Sequence, residues 1–571
     1  MALGLFRLAF IYPYMVFPRV LERRIQHLVL FCVVSMTLVV TPWISLDPIN
    51  LPKLVILGTC GLTMFGNIAP YLKKILSSDA RGICFVLLFF FFCLAASFFA
   101  SSAERWAQIY GTFGRNTGLI AYIALAFMFA SVVFVSNLNF SKRLIWALIA
   151  TGTANTVYGL VQWWGNDPLN WNNLYNPIVG TLGNPNFVSA HLGIASLGSL
   201  ALAVENSRRM VSRLMLLMNV GLSLFVISQS NSSQGLLVFA LGATLIFYFR
   251  ILNSLHVVVR IGYWLLVCVG SVVGTLGILN KGPLASFLYQ ESVTYRGDYW
   301  RAGWKMTLDN PVFGVGLDSY GDWYRFSRTE EAALRRGPDA TSNSAHNVFL
   351  DISSNGGFLL LAAYVFIFGL IFRSAVRVLR KSRSFDAVGV GLVSAWVAYV
   401  IQSVISINQL GLAIWGWVLG GAIIGYDLYR DRPDAPRMVV NKGRRPEQVP
   451  AAVVLTGSLG LVIGFVVSVW PLAQDISFRN ALESGDGAKI ELAAKEFPRN
   501  NYYYVYSAQI LQENKIADKA LDLARLAIAA NPRDFNAWKM VVANPNVSES
   551  ERASAVAKMK ELDPFNNTLD K

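Results

Sequence analysis

GICFVLLFFFFCLAASFFA, residues 82–100, runs nineteen positions without a charge. A helix needs about 20 such residues to cross the hydrocarbon of a bilayer. Twelve further stretches of similar character lie near 27–44, 52–70, 117–136, 144–163, 187–205, 214–229, 235–249, 261–279, 347–372, 386–406, 411–428 and 452–470. They predict an all-α fold, a polytopic membrane helical bundle of about thirteen spans. The 571 residues are 54% hydrophobic and 15% charged, with mean hydropathy +0.46, against roughly 25% charge in a soluble domain.

The net charge of +15 does not mark a nucleic-acid binder, because the basic residues recur at every second connection. Arg23 and Arg24, Lys73 and Lys74, Lys142 and Arg143, Arg208 and Arg209, Arg250 and Arg260, Arg377 to Arg383, and Arg430 to Arg445 all fall on one side. The positive-inside rule makes that side the cytoplasm, which gives a cytoplasmic N-terminus, an extracytoplasmic C-terminus and a multi-pass membrane protein. Residues 1–18 carry Arg7, Pro13 and Pro18 and read as an interfacial helix. The first apolar span lacks a small-residue cleavage site and is expected to stay as an anchor. Residues 430–449, basic with Pro433, Pro436 and Pro446, read as a cytoplasmic linker drawn to anionic headgroups. Cys32, Cys60, Cys84, Cys93 and Cys268 lie inside spans, without a Cys-x-x-Cys pair, and read as small core hydrophobes.

The remaining polar clusters share the outer side, and the largest connection there is residues 280–346. Between the fifth and sixth spans, Trp163 and Trp164 precede Gly183-Asn184-Pro185-Asn186. Rings cover the apolar face of a pyranose and amides bond its hydroxyls, while an interfacial aromatic belt with turn residues explains the same composition. Arg115 lies outside the fourth span, and Arg296, Arg301, Lys305 and Arg325 lie in the large loop. Guanidinium geometry matches phosphate, and ion pairs with Asp298 or Asp318 are the competing use. His346 sits where the large loop meets a new span. It is placed to take a proton from a hydroxyl near neutral pH, or to start the helix with its backbone satisfied. No second histidine or acid stands at metal-ligand spacing from it.

Arg296-Gly297-Asp298-Tyr299-Trp300-Arg301, then Asn310-Pro311-Val312-Phe313-Gly314-Val315-Gly316, then Ala345-His346-Asn347-Val348-Phe349-Leu350, together resemble the signature of the O-antigen ligase and Wzy-type O-antigen polymerase superfamily. Bacterial protein O-oligosaccharyltransferases belong to the same superfamily, and the resemblance covers about residues 80–430. It implies a GT-C-like membrane glycosyltransferase that moves a glycan from a polyprenyl-diphosphate carrier, such as undecaprenyl diphosphate, to an acceptor hydroxyl. No metal or cofactor is implied. Arg296 would contact phosphate and His346 would activate the acceptor, with Arg115, Arg301, Asn184, Asn186, Gln234, Asn347, Trp163 and Trp164 as substrate-binding candidates. One departure stands out, because many members carry Ser-Arg-Gly where this chain reads Ser233-Gln234-Gly235. A glycosyl diphosphate brings its own leaving group, so neutralising phosphate and aiming a nucleophile is sufficient chemistry, by single displacement with inversion. The first outer loop, Thr41 to Asn50, holds only Asp47 as an acid, which disfavours a metal mechanism.

The chain divides into a membrane domain, 1–472, and a charged, Ala-rich tail, 473–571. Phe497-Pro498-Arg499-Asn500 and Asn531-Pro532-Arg533-Asp534 stand 34 residues apart (534 minus 500), the tetratricopeptide period. The tail is therefore expected to be a small extracytoplasmic helical repeat domain that docks a protein partner or caps the membrane domain. Three acceptors stay open, namely a lipid, a glycan chain and a protein hydroxyl. Two other classes stay open too, a transporter or flippase of lipid-linked glycans and an inactive scaffold.

Overall fold

The computed structural model describes residues 17–77, 81–169, 171, 178–381, 384–429 and 448–570. Among them it is helical and has no strand. Apart from their edge residues, the interfacial helix expected over 1–18 and the linker expected over 430–449 lie outside the described residues.

Among the described residues ten helices are long and apolar enough to span a membrane, from Asn50–Leu76 to Ala451–Ser484. The protein is thus a multi-pass membrane protein. Three of the thirteen expected spans fall short of that measure. Leu119–Val135 and Gln234–Arg250 have 17 residues each, and Arg19–Leu38 begins with Arg19, Glu22, Arg23 and Arg24. Helix starts follow local chemistry. Asn137 accepts from Phe140 N at 2.8 Å to open Leu138–Trp163, and Asp386 accepts from Gly389 N at 3.0 Å to open Ala387–Ile405.

Leu410–Tyr429 is buried at the centre, against Leu119–Val135, Val348–Lys381 and Ala387–Ile405. Lipid is as apolar as leucine, so helices in a bilayer associate through close packing at small residues. The pair Asn50–Ile68 and Ala451–Ser484 shows this. A Cβ on Gly58 would meet Ser468, one on Gly460 the carbonyl of Leu62, and one on Gly66 the carbonyl of Thr456. Val257–Ile278 is peripheral, with only Gly277 buried. Cys268 on that helix is exposed and Cys84 half-exposed, which corrects the expectation that all five cysteines are core residues. A thiol facing lipid loses little by leaving the core.

The large loop over 280–346 folds into Glu291–Asp309, Tyr320–Ser327 and Glu330–Arg336. Its Asn310 to Gly316 stretch docks into a break in Val348–Lys381 at Gly357, where φ is 69° and ψ is −177°. Val315 N donates to Ser354 O at 2.9 Å, Gly316 N to Asn355 O at 3.1 Å, and Phe358 N to Pro311 O at 2.7 Å. The loop thereby satisfies backbone groups that the break would orphan.

Ala451–Ser484 continues through Pro471, so the change at 472/473 falls inside one helix and the tail follows without a linker. The tail is Gly487–Ala494, Asn501–Glu513, Ala517–Ala530, Phe535–Ala543 and Glu549–Leu562. Asn500 and Asp534, the ends of the two spaced motifs, both cap helix starts. These helices sit at the end of the bundle that carries the large loop. Asp475 accepts from Leu46 N at 2.6 Å and from Tyr503 Oη at 2.8 Å, and Asn531 donates to Asp322 at 2.9 Å.

Candidate functional site

His346 ends the loop one residue before Asn347, whose side chain accepts from Phe349 N at 3.0 Å and Leu350 N at 3.2 Å and so opens the Val348–Lys381 helix. The backbone of His346 has φ +53°, a region costly for a side chain with a Cβ and kept only where the surroundings over-determine it. Ser344 Oγ accepts from His346 N at 2.9 Å. Asp351, one turn into the helix, accepts from Ala345 N at 2.7 Å and Ser344 Oγ at 2.7 Å. Arg115 donates to the carbonyl of Asn343.

The imidazole stacks on Tyr299, centroids 5.1 Å apart and planes at 27°. Neither ring nitrogen has a hydrogen-bond partner among the described residues. Burial, then the charges of Arg296, Arg115 and Arg336, lower its pKa to about 3. The ring is therefore neutral at pH 7, with a lone pair free.

Arg296 lies on Glu291–Asp309 two positions before Asp298. Its guanidinium is half-buried and makes no hydrogen bond or ion pair among the described residues, and burial lowers its pKa. An unpaired, partly desolvated guanidinium beside a neutral imidazole is an open anion position. Arg336 shares the spot. It donates to Tyr299 Oη and lies over the Tyr295 ring at 4.5 Å. The sequence signal for it was the pair Arg335-Arg336 ahead of Gly337, which closes the last loop helix.

The other candidates divide. Arg115 comes close enough for its charge to act on His346, but it is buried between Asp318 and Asp351, 3.6 Å from each. Asp318 also accepts from Thr112 N at 2.7 Å and Thr117 Oγ1 at 3.1 Å. Arg115 thus ties three loop segments together. Arg301 pairs with Asp298 at 2.6 Å, and Arg335 shares that carboxylate. Asn347 and Asn184 act as helix caps, Asn184 accepting from Asn186 N at 2.9 Å.

Asn186 and Gln234 form a second polar cluster. Ser232 Oγ donates to Asn186 Oδ1 at 2.8 Å and meets Ser189 Oγ at 2.8 Å. Gln234 is 5% exposed, and neither its amide nitrogen nor its oxygen has a partner among the described residues. It stands in the first turn of Gln234–Arg250, whose cap residue Ser233 makes no side-chain capping bond. Gln290, at the start of the Arg296 helix, donates to Ser233 Oγ at 3.2 Å, which joins the two clusters. Trp163 donates to Gln229 at 3.2 Å and packs edge-on to Phe225, and Trp164 is 68% exposed.

Residues 214–365 match the family model described as O-Antigen ligase. That segment contains Gln234, Arg296, Arg336, His346 and Asp351 and leaves out Arg115, Asn184 and the tail. No curated protein matches the chain.

Proposed function

We propose, from the O-antigen ligase domain at 214–365 and the open His346–Arg296 pair within it, that the protein transfers a glycan from a polyprenyl-diphosphate carrier to an acceptor hydroxyl. The reaction takes place at the extracytoplasmic face of the cytoplasmic membrane. The single observation that carries this reading is a neutral imidazole within reach of the charge of Arg296, neither group having a hydrogen-bond partner among the described residues. His346 removes the acceptor proton as its oxygen attacks the anomeric carbon. The bond from that carbon to the phosphate oxygen breaks, and the polyprenyl diphosphate leaves with the electron pair, its added charge met by Arg296 and Arg336. Attack opposite the leaving group inverts the anomeric centre.

The second cluster suits the lipid-side phosphate. An uncapped helix start presents backbone N–H groups and the positive end of the helix dipole, and Gln234 adds an unpartnered amide. Gln234 thereby takes, without charge, the place that an arginine holds in many similar proteins. Proton transfer and phosphate neutralisation are both assigned to side chains, so no metal is required. Asp351, which holds the turn ahead of His346, and Asp318 are committed to Arg115.

The test is transfer of a radiolabelled polyprenyl-diphosphate glycan by purified protein in lipid nanodiscs with EDTA. Wild-type transfer that His346→Ala and Arg296→Ala both abolish, with folding intact, supports the reading. Active mutants, or donor binding with no acceptor ever glycosylated, overturn it. A protein acceptor is the second reading, favoured by the docking of the tail helices on the loop that carries Arg296 and His346.

A further inference from the structure

Asp563 caps the C-terminal end of Glu549–Leu562, more than 200 residues after His346, and is 1% exposed. Its carboxylate receives Arg328 Nη2 at 2.8 Å on both oxygens and Arg325 Nη1 at 3.0 Å. Both arginines are themselves buried. They also hold backbone. Arg328 donates to Ala340 O at 3.0 Å and Pro338 O at 3.2 Å, and Arg325 donates to Pro338 O. The carbonyls they grip begin the stretch of chain that runs through Ser342, Asn343 and Ser344 to His346.

Two buried guanidiniums beside each other repel and are costly to desolvate, so one bidentate carboxylate is what lets them stay. A second route reaches the same ring. Tyr324, the residue before Arg325, packs edge-on to Tyr299 at 5.7 Å, and Tyr299 stacks on His346. Attachment of the tail does not depend on Asp563, because Asp475, Glu104, Asn531 and Arg479 make separate contacts between the tail and the membrane domain. Loss of Asp563 therefore acts on the 338–346 segment and leaves the tail docked.

We infer that Asp563 is a positioning residue for His346, through which the C-terminal helices hold the catalytic loop in register. The inference rests on the reading of His346 as the base, and it makes the tail a working part of the site. Anything that engages the tail near Asp563 has a direct mechanical line to the imidazole.

The experiment uses the full chain in nanodiscs and compares wild type, Asp563→Asn and Asp563→Glu. Three quantities are read: amide hydrogen exchange, carbethoxylation of His346 by diethyl pyrocarbonate, and transfer kinetics. For Asp563→Asn the expected result is about tenfold faster exchange over 338–347 with exchange over 501–530 unchanged, and faster His346 modification. The kcat is expected to fall about 100-fold with donor KM within about threefold, and Asp563→Glu recovers part of it. Unchanged exchange over 338–347, or an equal rise over 501–530, overturns the inference, the latter by making Asp563 plain docking glue. If wild type transfers no glycan, the proposed reaction falls, while exchange and His346 modification still decide whether Asp563 holds the loop.

Discussion

Arg115 and Asp351 meet at 3.6 Å beside the turn that carries His346, both buried, and Asp318 lies at the same distance from the same guanidinium nitrogen. Asp351 at the same time holds Ala345 N and Ser344 Oγ. One carboxylate thus neutralises a buried arginine and fixes the turn that sets the left-handed backbone of His346. Removing one of two carboxylates from a buried arginine leaves its charge less well compensated, here by Asp318 alone, and frees the turn that the lost carboxylate held. Asp351→Asn is therefore expected to lower kcat by about 100-fold while donor affinity, which the proposed reaction assigns to Arg296, changes little. Steady-state kinetics beside a donor-binding titration check this. A loss confined to donor affinity would return Arg115 to the role of an anion ligand.

The pH profile of transfer follows from the same arginine and its neighbours. Burial and the charges of Arg296, Arg115 and Arg336 hold the pKa of free His346 at about 3, far below the ordinary imidazole near 6.5. A base must be unprotonated, so activity is lost only as pH falls toward the lowered value. The kcat/KM for donor is expected to stay flat from about pH 5 to 8 with no limb near 6.5. Bound diphosphate offsets Arg296 and Arg336 and raises the pKa of His346, so the acid limb of kcat lies above that of kcat/KM. Arg336→Gln moves the free-enzyme limb upward. An ordinary limb near 6.5 in kcat/KM would remove His346 from the role of base.

The spans were readable because burial in lipid demands apolar residues over a fixed length, a property each segment carries by itself. Helix Arg81–Ala100 matches its predicted 82–100 almost to the residue. His346 and Arg296, the residues of the proposed reaction, stand out in the sequence through the spaced loop pattern around them. Arg115 shows where reading stops: its charge is visible in the sequence but its partners are not, and two carboxylates from distant positions turn an expected anion ligand into a buried clasp. Arg336, Tyr299, Asp351 and Asp563 escaped for the same reason, since only the folded loop brings them together. Asn184 and Asn347 did carry a legible signal. An asparagine immediately ahead of an apolar helix is a cap before it is a sugar ligand.

Gly357 sits at φ 69° and ψ −177°, a region open to essentially no residue but glycine. A Cβ there would lie 2.3 Å from the carbonyl of Val312, inside the loop that docks on the break. Gly357→Ala is expected to cost about 2–3 kcal/mol and to loosen Asn310–Gly316, seen as a lower Tm and faster exchange at Val315, Gly316 and Phe358. Gly369 lies in the same helix, where an added Cβ would meet nothing within 4 Å, so Gly369→Ala should leave Tm unchanged or slightly raised. Equal effects of the two substitutions would mean that the break is not held by the loop.

Three acids crowd the junction between the loop and the tail. Glu104 accepts from Asn501 N at 3.1 Å, Asp322 from Asn531 at 2.9 Å, and Asp534 from Asn501 Nδ2 at 2.5 Å. Burial, with Asp322 and Asp534 adding repulsion, raises Glu104 to about 8. Burial and then Asp534 raise Asp322 to about 7, and burial raises Asp534. A carboxyl raised in the folded state binds a proton there that the unfolded chain has already lost. Its stabilising effect is complete below the unfolded value, near 4, and disappears as pH rises through the folded one. Docking of the tail is therefore expected to weaken from about pH 5 to 8, by up to about 1.4 kcal/mol for each tenfold by which folding weakens a carboxyl as an acid. Hydrogen exchange over 501–534, followed across that range in wild type and Glu104→Gln, is the measurement. The glutamine carries no titrating proton, so it should flatten the slope while keeping the acceptor for Asn501. A wild-type slope of opposite sign, with protection rising toward pH 8, would mean that these acids are held ionised by Arg325 and Arg533 and that the junction is an ordinary ion-pair contact.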